Sequence, residues 1–254
     1  MGRFATTVPY YQRYRQPYPR EFFQRAADLM GLDGTQSLVD VGCGPAILAL
    51  GFAPRVGRVA GVDPEPAMIA AARSAAAEAR VELTLYESRI EDLPAGAGPF
   101  SVAVIGRALH WMEPRATVAA FDRLLAPGGA VLTCAATTAE KLNPWLAAYH
   151  ALRDSLKAPE DNADYRRDPA AFFDGSPFAL RERFSVRTEQ TVSIEILTGR
   201  LLSMSTTSPE VLGARAGRLE DAVGEAVGPF LRSDGGLTEV IETLATLFTR
   251  HPSP

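Results

Sequence analysis

Apolar and polar positions along the first half of the chain change period again and again. Glu21 to Met30 (EFFQRAADLM) has apolar residues at helical spacing and is stopped by Gly31, which predicts an amphipathic helix. Ser37 to Val41 is a short apolar run that breaks into Gly42-Cys-Gly-Pro45, a strand ending in a glycine turn. Ile47 to Ala53 starts a helix behind that turn, and Arg58 to Val62 is a second strand closed by Asp63-Pro64. Ala67 to Arg80 consists almost wholly of strong helix formers. Val81 to Tyr86, Phe100 to Ile105 and Ala130 to Cys134 are the third, fourth and fifth strands. Pro114 to Leu125 is a helix between the last two, with Val118, Phe121 and Leu125 on one face. Strands alternating with helices every ~20–30 residues imply βαβ units and a largely parallel sheet. Right-handed crossovers then cover both faces of the sheet with helices.

The second half is less regular. Asn143 to Leu156 reads as a helix, and 158–177 is a polar stretch rich in Asp, Pro and Arg that suits a surface loop or lid. Phe184 to Ile194 alternates weakly, as a strand does. Pro209 to Leu231 reads as one long helix before the turn Ser233-Asp-Gly-Gly236. In Leu237 to Arg250, residues Leu237, Val240, Ile241, Leu244, Leu247 and Phe248 trace a helical stripe, although the threonines and β-branched residues also suit a strand. Periodicity alone favours the helix there.

Composition narrows the class. The 254 residues are 46 % hydrophobic and 22 % charged, as expected for a folded globular chain with a sizeable core. No apolar stretch reaches the ~20 residues of a membrane span, and Met1 to Arg20 lacks the apolar centre of a secretory leader. The net charge of −4 argues against nucleic acid as a partner. Cys43 and Cys134 show neither metal-site spacing nor a disulfide framework, and the three histidines are scattered. The expectation is a cytoplasmic protein without a metal, a membrane partner or a nucleic-acid partner.

The candidate chemistry lies in Val39-Asp-Val-Gly-Cys-Gly-Pro-Ala46. Glycines at the carboxyl end of a first strand let the backbone approach a ligand in the crevice where open α/β sheets bind them. A dinucleotide fingerprint needs a third glycine three residues after the second, and position 47 is Ile. Asp40, two residues before Gly42, would repel a pyrophosphate and suits a ligand bearing an ammonium group. Asp63, at the end of the second strand, is placed to accept hydrogen bonds from ribose hydroxyls. Acids on both sides of the glycines suggest a nucleoside that carries positive charge and no phosphates. S-adenosylmethionine fits that description.

The sequence resembles the class I S-adenosylmethionine-dependent methyltransferases. The likeness rests on Val39 to Pro45, Val62-Asp-Pro-Glu-Pro-Ala-Met68, Glu91-Asp-Leu-Pro94, Ala108-Leu-His-Trp-Met112 and Leu124-Leu-Ala-Pro-Gly-Gly-Ala-Val131, in that order over about residues 37–135. Tyr11-Gln-Arg-Tyr-Arg-Gln-Pro-Tyr18 extends it towards a small-molecule group that includes the trans-aconitate methyltransferases. The resemblance implies a doubly wound, Rossmann-like, seven-stranded and mostly parallel α/β sheet with helices on both faces, its last strand antiparallel. Leu237 to Arg250 then becomes a strand. It also implies one domain over 1–254: a cap at 1–20, a cofactor core at 37–135, a helical or loop insertion covering the site at 136–183, and carboxyl-terminal strands and helix at 184–254.

Asp40, Gly42 and Gly44 would hold the methionine part of S-adenosylmethionine, and Asp63 with Pro64 the ribose. Met68 fits either an adenine cover or a core position. Where many relatives carry an Asp for the adenine amine this chain has Arg89, which leaves the backbone of Ile90, with Glu91 nearby, to meet the base. Tyr14 and Arg15 lie in the segment that folds over the cofactor by resemblance. The bidentate fork of an arginine suits the methionine carboxylate, and Arg107 has a comparable claim. His110 follows the fourth strand, where an imidazole can take a proton from a hydroxyl or amine nucleophile, and it suits a structural role equally. Tyr18, Trp111, Trp145 and Tyr149 are the substrate-side candidates. The expected function is methyl transfer to the O, N or C nucleophile of a small-molecule acceptor. The alternative is a protein of this fold that binds the cofactor without methylating, in a regulatory or pericyclase-like role.

Overall fold

A computed structural model describes residues 6–157 and 168–250. In chain order its elements are α1 (Val8–Tyr14), α2 (Arg20–Met30), β1 (Ser37–Val41), α3 (Ile47–Phe52), β2 (Arg58–Asp63), α4 (Pro66–Ala79), β3 (Thr84–Glu87), β4 (Phe100–Gly106), α5 (Pro114–Leu124) and β5 (Leu125–Thr138). There follow α6 (Leu146–Leu156), α7 (Pro169–Phe172), β6 (Phe178–Val192), α8 (Ile194–Leu202), α9 (Pro209–Leu212), α10 (Leu219–Val227) and β7 (Leu237–Arg250). The strands form one sheet in the order β3-β2-β1-β4-β5-β7-β6.

The strands β3, β2, β1, β4 and β5 pair in parallel, with Asp40 opposite Gly61 and Asp63 opposite Glu87. The β7 strand runs against β5: the Thr133 hydroxyl donates to the Thr246 carbonyl, and Ala139 N–H donates to the Val240 carbonyl. Parallel strands need crossover helices, so the inner strands are buried on both faces and read as unbroken apolar runs. That is the burial seen in β1 and β4.

The chain divides into two compact units. The larger gathers Tyr18–Ala135, Asp164–Val186 and Thr243–Pro254, and the smaller gathers Met1–Pro17, Ala136–Ala163 and Arg187–Glu242. The core of the larger unit joins Val39, Val62, Ile90, Phe100, Ile105, Phe121 and Phe173. The core of the smaller joins Trp145, Tyr149, Leu197, Leu201, Val223 and Leu237.

Three readings of the second half can be set beside the structure. Leu237 to Arg250 is a strand, as the resemblance implied and periodicity did not; Leu237, Glu239, Ile241 and Thr243 share its buried side. Pro209 to Leu231 is no single helix. Gly213, at φ 53 and ψ −127, ends α9, a 3-10 stretch runs to Arg218, and α10 starts only at Leu219. The predicted loop or lid at 158–177 lies outside the described residues up to 167. Beyond that, Phe172 and Phe173 are buried in the larger unit's core.

Candidate functional site

The site grows from the carboxyl end of β1, entirely within the larger unit. Gly42 (φ +66) and Gly44 (φ +52) take left-handed conformations that side-chain-bearing residues adopt only at a cost. A Cβ on Gly42 would stand 2.5 Å from the Ala108 Cβ, so no other residue fits that turn. A Cβ on Gly44 would meet only the Met68 sulfur, at 3.8 Å, so this glycine leaves its face of the loop open. Ala46 continues the left-handed run at φ 63 and begins α3.

Two carboxylates flank the loop. Asp40 is 1 % exposed, and its Oδ2 accepts the Ala49 N–H at 3.0 Å, so a strand residue satisfies a first-turn donor of α3. Burial pushes the Asp40 carboxyl up to about 7, against the Ala49 hydrogen bond and with help from the nearby Asp63 charge. Asp63 accepts Gly44 N–H on Oδ2 at 2.8 Å and Glu65 N–H on Oδ1 at 2.9 Å. Burial raises its pKa too, partly offset by those two amides. Among the described residues neither carboxylate makes an ion pair. The thiols of Cys43 and Cys134 are pushed up, first by burial and then by the Asp40 charge.

On the β3 side, Ser88 N–H donates to the Asp63 carbonyl at 3.1 Å, which sets the 3-10 turn Ile90–Asp92 next to Asp63. Ile90 is buried in the core cluster that also holds Val62 and Ala108. The Glu91 carboxylate turns inward: it accepts the Thr117 hydroxyl at 2.7 Å, and the Arg89 Nε lies 3.6 Å away. Met68, on α4, is buried beneath Gly44, a core position of the kind one of its two readings expects.

At the end of β4, Arg107 is left-handed at φ 58, and its guanidinium lies 4.8 Å over the Tyr18 ring. The Tyr18 hydroxyl reaches Gly106, where a Cβ would be 3.0 Å from it. His110 and Trp111 follow in a 3-10 turn with ring centroids 4.8 Å apart, and Trp111 is 42 % exposed.

These features coincide with a family. Residues 38–129 match the model described as a methyltransferase domain. That stretch, just over a third of the chain, includes the glycine loop, Asp63 and the turn at Ile90. It is 36 % identical over 106 residues to a ubiquinone biosynthesis O-methyltransferase of Alkalilimnicola ehrlichii, a stretch covering 41 % of this chain and 42 % of the relative. A protein of the same name from Cronobacter sakazakii is 34 % identical over 127 residues, covering 49 % and 50 %. The chain thus spans about half the length of the curated relatives it matches. The solved structure of a putative type II methyltransferase from Anaeromyxobacter dehalogenans superposes with a TM-score of 0.63 at 22 % identity, covering 93 % of this chain and 98 % of that one, which shows a shared fold.

The remaining candidates fall in the smaller unit. Tyr14 lies across Gly199, where a Cβ would sit 2.2 Å from its ring, and its hydroxyl donates to Glu195 at 2.9 Å. Arg15 donates to the Ser203 carbonyl at 3.1 Å and stacks on Tyr11. Trp145 and Tyr149 are core residues, which corrects the expectation of a substrate role. The Trp145 indole donates to the Thr238 carbonyl at 2.9 Å and the Tyr149 hydroxyl to the Leu197 carbonyl at 2.8 Å, so burial consumes both polar handles.

Sequence reasoning missed a buried polar network in the same unit. Arg200 (Nη1 at 2.5 Å, Nη2 at 2.8 Å) grips both oxygens of Glu239. The Arg200 Nε donates to the Tyr14 carbonyl, and Glu239 also accepts from Thr138 and Gln190. Burial works against the Glu239 charge, yet these donors prevail and hold its pKa below the usual range. The available signal was one acid among the apolar residues of Leu237 to Ile241.

Proposed function

We propose that the chain transfers the methyl group of S-adenosylmethionine to a small-molecule acceptor. One observation carries this reading. Two buried carboxylates flank an open glycine loop, and among the described residues no cation pairs with either. A buried charge normally demands a partner, and a ligand with positive charge and ribose hydroxyls is the complement that is missing. An oxygen of Asp63 that already accepts one amide keeps a second lone pair for a hydroxyl.

In this reading Asp40, Gly42 and Gly44 bind the methionine part, Asp63 and Pro64 the ribose, and Met68 and Ile90 enclose the base. Arg107 offers its guanidinium to the carboxylate. S-adenosylmethionine, when bound, supplies an activated methyl on a sulfonium. The chain's task is then to align an acceptor behind that carbon and exclude water, and such positioning supplies roughly 7–11 kcal/mol. Tyr18 and Trp111 flank the acceptor side, and His110 takes the proton of a hydroxyl or amine acceptor. The O-methyltransferase names of the two relatives favour an oxygen nucleophile. The reduced, buried cysteines suit a cytoplasmic protein, and no helix among the described residues is long and apolar enough to cross a membrane.

Calorimetric titration with S-adenosylmethionine, S-adenosylhomocysteine and NADH tests this proposal. Micromolar binding of the first two, none of the third, and a loss of at least about tenfold in Asp63→Ala are expected, tenfold being ~1.4 kcal/mol. Silence with all three ligands would make both acids structural. Binding without methyl transfer to any hydroxylated, amino or acidic acceptor would return the chain to the non-methylating alternative.

A further inference from the structure

The strand order assigns each part of a bound nucleoside its place. With the glycine loop at β1, Asp63 at the end of β2 and the acceptor side at β4, the base of a ligand whose ribose meets Asp63 falls on the β3 side, against the turn Ile90–Asp92. Two of the side chains there, Arg89 and Glu91, are poorly suited to grip a purine edge. Arg89 has donors only, so it cannot accept from an exocyclic amine. Glu91 has turned its carboxylate into the fold, 15 % exposed and bonded to Thr117. Contact with the base then involves Ile90 and the backbone around it, and a backbone can discriminate only if something fixes its position.

Two residues of α5 do that. Thr117 is fully buried, and its hydroxyl donates to the Glu91 Oε1 at 2.7 Å. One helical turn and a half further on, Arg123 donates from Nη2 to the carbonyls of both Glu91 and Leu93, at 3.0 and 2.9 Å. The turn is thus held at a side chain and at two carbonyls from one rigid helix. That helix is itself capped by Glu113, whose carboxylate accepts the N–H groups of Arg115 and Ala116. We infer that Thr117 and Arg123 are positioning residues for purine recognition, acting through the backbone at Ile90–Leu93 without touching the ligand. The inference rests on the cofactor reading above.

The test compares two ligands that differ only at the base edge: S-adenosylhomocysteine, with a 6-amino group, and S-inosylhomocysteine, with a 6-oxo group. The wild-type protein should bind the amino form at least about tenfold more tightly. Thr117→Val and Arg123→Met should each weaken the amino form about tenfold, the scale of one lost hydrogen bond, and shrink the preference below about twofold. Thr117→Ser, which keeps the hydroxyl, should restore both. Arg123 is exposed, so its variant stays readable if Thr117→Val fails to fold. An undiminished preference in both variants overturns the inference, as does an equal loss for the two ligands, which would mark a merely structural role. A wild-type protein that binds homocysteine nucleosides without preferring the amino form overturns the inference alone. One that binds neither removes the cofactor reading together with it.

Discussion

Asp40 shows how far one residue can be taken from burial and sign alone. Its carboxyl titrates near 7 in the folded protein against about 3.9 in an unfolded chain, so between those pH values the native state holds a proton that the unfolded state has lost. Stability from this group is therefore greatest below about pH 4 and declines as pH rises through 7, by up to about 1.4 kcal/mol per unit. Urea midpoints of the ligand-free protein between pH 5 and 7 should fall with pH, and Asp40→Asn should flatten that slope; equal slopes would contradict the assignment. Gly42 gives a second residue-level expectation. Its left-handed φ and the Ala108 contact together cost a Gly42→Ala protein about 2–5 kcal/mol, against about 1–2 for Gly44→Ala, which meets no such contact. Denaturant curves that rank the two substitutions the other way would refute this.

At the scale of elements, the smaller unit is organised by a charge pair inside its core. Arg200 on α8 and Glu239 on β7 are both almost completely buried, and each additional donor or acceptor belongs to another element: Tyr14 on α1, Thr138 on β5 and Gln190 on β6. Breaking such a pair from one side strands a buried charge, which costs about 3–5 kcal/mol, whereas replacing both partners by apolar groups is often tolerated. Arg200→Met should therefore destabilise strongly, and adding Glu239→Met should recover at least half of the loss in thermal or urea unfolding. A double variant no better than the single one would show that Glu239 tolerates isolation. The contact of Tyr14 with Gly199 belongs to the same logic, because only a glycine on α8 lets that ring lie against the helix.

For the whole molecule, a net charge of −4 and two acids at the glycine loop favour a cationic ligand over a neutral one of the same shape. S-adenosylmethionine carries one more positive charge than S-adenosylhomocysteine. Raising the salt from 0.05 to 0.5 M shortens the screening length to a few ångströms and should weaken the first ligand about twofold or more, leaving the second nearly unchanged. Equal salt dependence, measured by titration calorimetry, would mean that the protein's field plays no part in choosing between the two ligands.

The sequence alone determined what depends on local chemistry. The inner parallel strands were legible because a strand buried on both faces must be apolar throughout, and the glycine loop because its backbone excludes a Cβ. Asp40 and Asp63 stood out as acids at the ends of apolar strands. Tertiary structure decided whatever depends on a distant partner. Glu239 and Thr243 sit on the buried side of β7, so the apolar alternation that marks a strand was interrupted, and a helical stripe was the better fit to the apolar residues alone. Arg200, 39 positions away, supplies the cation that makes an acid tolerable there, with Thr138 and Gln190 as further donors. Trp145 and Tyr149 looked like ligand-facing aromatics because a sequence does not reveal which carbonyl will take an indole or phenol hydrogen. The clamp from Thr117 and Arg123 to Glu91 was invisible for the same reason: a hydrogen bond across 26 residues leaves no local period, and only the packing of α5 brings its ends together.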